Sequence, residues 1–131
     1  MAQLSNQAQD FIHGKVWAHI ATLMKDGSPQ VTPVWVETDG SNVVINTAEG
    51  RVKTRNLHRD GRVAMSIMGM ESPYKCLWVR GRVKEITTRG AEEHINELSR
   101  KYTGKDYNYR AGEVRVKLVI EPTHVTERGL A

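Results

Sequence analysis

Arg51-Val-Lys-Thr-Arg-Asn-Leu-His-Arg59, followed by Asp60-Gly61, is a strongly basic segment between two apolar runs. It sets five basic side chains, Arg51, Lys53, Arg55, His58 and Arg59, within nine residues. An apolar run, Val43-Val-Ile-Asn-Thr47, precedes it, and another, Val63-Ala-Met-Ser-Ile-Met68, follows. The pattern predicts a strand, a short basic helix closed by Asp60-Gly61, and a new strand. The start of such a helix presents free backbone N–H groups and the positive end of the helix dipole. Arg51 and Lys53 fall in that first turn, so the position suits a phosphate. The plainer reading is a basic helix face turned to solvent.

Upstream, Ser5 is the expected N-cap of a helix that carries Ala8, Phe11 and Ile12 on one face and ends at Gly14. Residues 16–24 alternate as a strand with Val16, Ala18, Ile20, Thr22 and Met24 on one side. Asp26-Gly27 marks a turn into a second strand, residues 30–38, and Asp39-Gly40 a turn into the third, so the three should form a meander. Pro33 has no N–H to give a sheet, which places its strand at an edge or at an interruption. Downstream, Arg62–Met68 is a fourth strand and Lys75–Ile86 a fifth, with Gly81 marking a bulge or a close backbone approach. Thr87 or Thr88 should cap a helix running to about Tyr102. Val114–Pro122 alternates as a sixth strand, with an extension to Thr126. The fold class expected is mainly β: six antiparallel strands in a small barrel with Greek-key-like closure and two or three peripheral helices.

The 131 residues are expected to form one domain, 1–131, with a net charge of +4. That balance suits an acidic small ligand as well as a nucleic acid. A single cysteine, Cys76, excludes an internal disulfide. The chain shows no signal-peptide pattern and no apolar run near membrane-spanning length, so a soluble, cytoplasmic protein without membrane partners is expected.

Most catalytic chemistries find no support. There is no Gly-x-Ser-x-Gly elbow, no dinucleotide or phosphate-loop glycine motif, and no Cys-x-x-Cys. His13, His19, His58, His94 and His124 lack metal-ligand spacing. What remains is the basic helix, the Pro-bearing strand and an aromatic set. Of that set, Trp35 and Trp78 fall within strands, while Tyr107-Asn-Tyr-Arg110 falls in a loop, where packing explains it less well. Basic residues with aromatics also fit an oligonucleotide-binding barrel, and His19 or His124 are the strand-borne options for a haem carrier.

Strand, Asp-Gly turn, Pro-bearing strand, Asp-Gly turn, strand, Arg51-Val-Lys-Thr-Arg-Asn-Leu-His-Arg-Asp60 and Val63-Ala-Met-Ser66, in that order, resemble the split β-barrel flavin and deazaflavin proteins of the pyridoxamine 5′-phosphate oxidase-like superfamily. The resemblance runs from about residue 8 to residue 125. Lys53-Thr-Arg-Asn-Leu57 looks most like the small branch that uses coenzyme F420, a 5-deazaflavin.

The resemblance implies a cofactor-borne hydride transfer with no catalytic side chain of the protein's own. F420 is the cofactor it implies first, with FMN as the alternative, and the partner a small conjugated substrate rather than a nucleic acid. It implies that Gln30, Val31, Thr32, Pro33, Val34 and Trp35 line the isoalloxazine ring, and that Asn46 and Thr47 touch the ribityl chain and phosphate. Arg51, Val52 and Lys53 would bind the phosphate, with Asn56 facing the same site. A homodimer with its cofactor at the subunit interface is also implied, Cys76, Leu77 and Trp78 reaching the site of the other subunit. Two departures stand out. The C-terminal Trp of the oxidase proper has no counterpart after Glu121, so pyridoxamine phosphate oxidation itself is not expected; and Asp60-Gly61 stands where the family has Asp-Pro.

Overall fold

Ser5 begins the first helix as its sequence suggests. Its Oγ accepts the Ala8 amide at 3.0 Å, and helix α1 (Asn6–His13) runs to Gly14 with Ala8 and Ile12 fully buried. These features come from a computed structural model, which describes residues 2–130. Strand β1 (Val16–Leu23) keeps its alternation, with Val16, Ala18, Ile20 and Thr22 inward and Trp17 and His19 outward. The following turn is closed by Asp26, whose Oδ1 accepts both the amide and the hydroxyl of Ser28, while Gly27 takes φ 87°.

The expected second strand divides. β2 (Pro29–Val34) pairs with β1, whereas β3 (Val36–Thr38) pairs with β4 (Val43–Ala48). The chain therefore makes seven strands instead of six, and the meander breaks at Trp35. The reason lies in the partners: the sheet order is β2-β1-β5-β6-β7-β4-β3, so β2 and β3 are opposite edges although a single residue separates them. Only a sheet curled into a half-barrel brings its two edges that close. Pro33 lies on one of these edges, where its missing N–H is tolerated.

Helix α2 (Val52–Arg59) follows β4 and buries Thr54, Asn56 and Leu57. Its terminal Asp60 donates its amide to the Asn56 carbonyl and grips Arg62 at the head of β5 (Arg62–Gly69). β6 (Cys76–Thr87) and β7 (Arg115–Arg128) are long strands that bend with the barrel, and β7 pairs with both β4 and β6. The pairing of β6 with β7 slips between Arg80 and Gly81, where a bulge is expected. Gly81 is needed there because a Cβ would lie 2.2 Å from the Glu121 carbonyl oxygen. Pro122 sits opposite, at the same irregularity.

Helix α3 (Ala91–Thr103) starts later than the threonines suggest. Thr87 ends β6, and its hydroxyl accepts the Arg89 amide to form a turn. The cap is Gly90, in the left-handed region at φ 70°. The core is filled by Ile12, Ile20, Ile45, Ile67, Leu77, Leu118 and Ile120 with the valines between them. Among the described residues, no helix is long and apolar enough to cross a membrane.

Candidate functional site

Where the sheet edge turns at Trp35, α3 crosses close by and leaves a cleft of about 330 Å³. Its apolar wall is Val16, Ala18, Pro33, Val34, Ile95 and Leu98. Its aromatic wall is Trp35 stacked on Tyr102, with ring centres 5.5 Å apart and planes 6° from parallel. Tyr102 is anchored by its hydroxyl, which donates to the Val16 carbonyl at 3.0 Å. Lys101 beside it donates to the Ile12 and Val36 carbonyls, at 2.6 and 2.8 Å, and ties α3 to α1 and to β3. An apolar slot with aromatic walls suits a flat conjugated ring.

The polar side of the cleft carries three cations, Arg51, Lys53 and Arg115, together with Asn46 and Tyr107. Arg51 is the N-cap residue of α2, and no side chain caps that helix end. Among the described residues, neither Arg51 nor Lys53 makes an ion pair. Burial, with Arg51 and Arg115 adding like charge, holds the Lys53 ammonium below the ordinary lysine range. Two cations without carboxylate partners, at the uncapped start of a helix, favour an anionic ligand.

Asn46 connects this side to α3. Arg115 can only donate, and its Nε donates to Asn46 Oδ1 at 2.8 Å. Asn46 Nδ2 then donates to the Ala91 carbonyl at 2.9 Å and to His94 Nδ1 at 3.0 Å. His94 is therefore neutral with its proton on Nε2, consistent with a pKa lowered to about 4 by burial and by Lys117. Arg115 also donates to the Tyr107 hydroxyl and pairs with Glu113. Burial alone would raise the Glu113 pKa, but the hydrogen bonds from Arg115 and Tyr107 bring it below the ordinary value.

The structure brings Pro33, Val34, Trp35, Asn46, Arg51 and Lys53 together on the cleft. Gln30 and Thr32 stand on β2 with Gln30 Oε1 and Thr32 Oγ1 buried and unpaired, while Val31 between them faces outward and is 60% exposed. Val52 is half-buried in the first turn of α2, and Thr47 is buried below it, its Oγ1 3.3 Å from the Thr54 hydroxyl. The Asn56 amide does not reach the cleft: Nδ2 donates to Thr22 Oγ1 and contacts Met24 Sδ, and Oδ1 accepts from Arg59. Cys76 and Leu77 are buried in β6, and Trp78 is exposed on the outer face of the sheet, away from the cleft of the same chain. The sequence reading did not place Val16, Ala18, Ile95, Leu98, Tyr102 or Arg115 on a cleft. Tyr107 carried a signal, as an aromatic in a polar loop.

A sequence profile of the pyridoxamine 5′-phosphate oxidase family matches residues 4–129. The chain belongs to that family. An F420 reductase of known structure shares the fold of this pyridoxamine 5′-phosphate oxidase family member with a TM-score of 0.80 and 28% identity, over 90% of this chain and 94% of the reductase. A conserved hypothetical protein of Mycobacterium tuberculosis aligns with a TM-score of 0.77 and 21% identity, over 99% of this chain and 86% of its own. A Group A Streptococcus protein, HupZ, aligns with a TM-score of 0.69 and 18% identity, over 94% and 92%. No match is found among curated protein sequences.

Proposed function

We propose that this family member is an F420-dependent oxidoreductase acting on a small conjugated substrate. The observation that carries the reading is the pair Arg51 and Lys53, without carboxylate partners, at the end of a slot walled by Trp35 and Tyr102. That donor set fits a phosphorylated ligand with a planar ring. The similarity to an F420 reductase favours the deazaflavin over other such ligands.

In this reading Arg51 and Lys53 hold the phosphate. Pro33, Val34 and Trp35 set the plane of the ring, and Pro33, lacking an N–H, leaves that edge without one backbone donor. Val16, Ala18, Ile95 and Leu98 exclude water from the ring. The bound deazaflavin would supply the hydride chemistry. FMN is the second reading, because the same cations serve any flavin phosphate and the family is that of a flavin enzyme.

We further infer a homodimer. Trp78 is 45% exposed and Val31 60% exposed, apolar groups on the outer face of the sheet, and Trp17, 51% exposed, also lines the cleft. A second copy covering this face would bring Cys76, Leu77 and Trp78 to the partner's cofactor.

The experiment is titration of purified apo-protein with F420 and with FMN, followed by tryptophan quenching, since Trp35 lines the cleft. Preference for F420 supports the deazaflavin reading. Preference for FMN moves the protein to the flavin reading. Binding of neither refutes the role of Arg51 and Lys53.

A further inference from the structure

Arg115 is 6% exposed, an unusual position for a guanidinium. It lies at the start of β7 opposite Ala48, and lines the cleft. Four groups fix it. Nε donates to Asn46 Oδ1 at 2.8 Å, and Nη1 donates to the Tyr107 hydroxyl at 3.2 Å and to Glu113. The guanidinium carbon lies 5.1 Å from the centre of the Tyr107 ring. The Tyr107 hydroxyl in turn donates to Glu113 at 2.9 Å, so each member of the cage holds another.

Nη2 has no protein acceptor among the described residues. It is also not one of the buried unpaired side-chain atoms, which are Gln30 Oε1, Thr32 Oγ1 and His94 Nε2. Nη2 therefore reaches solvent-accessible space, and the cleft is such a space that Arg115 lines. An arginine that served only to neutralise Glu113 would not need three further partners. A fixed guanidinium with one free edge is the arrangement that recognises a phosphate oxygen, since little side-chain freedom remains to be lost on binding.

We propose that Arg115 is the third residue of the phosphate site and acts with Arg51 and Lys53, while Glu113, Tyr107 and Asn46 hold its free edge toward the cleft. The assignment rests on the flavin-type reading above and deepens it. It makes the cleft selective for the phosphorylated cofactor over the phosphate-free ribityl compound, through a residue contributed by the last strand.

The test compares ligands that differ only in the phosphate. Riboflavin and FMN are that pair. Arg115→Gln should weaken binding of the phosphorylated member by roughly tenfold to a hundredfold, and of the phosphate-free member by less than about twofold. Arg115→Gln leaves Glu113 buried alone, so the double variant R115Q/E113Q, which removes both charges, guards against a folding defect and should show the same phosphate-specific loss. Equal losses for both members of the pair, or no loss, would overturn the assignment. Thermal stabilisation by inorganic pyrophosphate separates this proposal from the cofactor reading. Stabilisation of wild type but not of R115Q/E113Q keeps Arg115 in an anion site even if neither F420 nor FMN binds. Equal stabilisation of the two proteins removes it.

Discussion

His94 should make the docking of α3 sensitive to acid. Its Nδ1 accepts from Asn46, and the ring is pressed between α3 and the sheet, with Lys117 and Arg115 on β7 and Glu37 on β3 as its charged neighbours. Burial and Lys117 lower its pKa from 6.5 to about 4, against a small opposing pull from Glu37. The folded pKa lies below the unfolded one, so the unfolded chain takes up the proton first. The contribution of His94 is fully present above pH 6.5 and is lost as pH falls toward 4. At about 1.4 kcal/mol per pH unit the gap bounds the effect at roughly 3 kcal/mol, of which about 2 kcal/mol is lost by pH ~5. The assay is urea unfolding of wild type and His94→Gln at about pH 7 and about pH 5. Gln can still accept from Asn46 but cannot gain a charge. The wild type should lose about 2 kcal/mol more than the variant between the two pH values, and because both proteins share their other titrating groups, the difference isolates His94. Parallel losses would refute the reasoning. Since Ile95, Leu98 and Tyr102 of α3 wall the cleft, ligand affinity should weaken over the same interval in wild type alone.

Three other outcomes follow from the geometry. Lys53→Gln and Arg51→Gln should each reduce FMN and F420 affinity by roughly tenfold while leaving riboflavin almost unaffected, as read by fluorescence titration. Gly81→Ala should destabilise the fold by about 2–4 kcal/mol in denaturant unfolding, because the new Cβ would meet the Glu121 carbonyl oxygen at 2.2 Å and Pro122 Cα at 3.1 Å. Trp78→Glu should shift the protein toward monomers in light scattering and weaken the cofactor in parallel, because it charges the face proposed to receive the second copy; an unchanged mass would count against that face.

Local order was largely legible. The Ser5 cap, the two Asp-Gly turns, the basic helix after residue 51 and the Gly81 bulge all depend on neighbours in sequence, and each lies where pattern and turn chemistry place it. The start of α3 was not, because Thr87 and Thr88 are good caps by composition but are already used in the end of β6 and the turn after it. Arg51 and Lys53, two positions apart in the chain, both line the cleft, whereas Asn56, one turn further, binds Thr22 instead.

Most of the elements, their order and the family can be read from the chain, because periodicity, caps and turn residues act over a few positions. Tertiary structure decided two things beyond its reach. One is the change of partner at Trp35: residues 29–38 read as one run, and only the curl of the sheet reveals that its halves belong to opposite edges. The other is the cage around Arg115. In the chain Arg115 is one more polar residue at the start of an alternating strand; in the fold it is buried beside Asn46, 69 positions away, with Glu113 and Tyr107 completing its partners. A charge can be buried only where distant groups converge to satisfy it, and that convergence is a property of the barrel rather than of any segment.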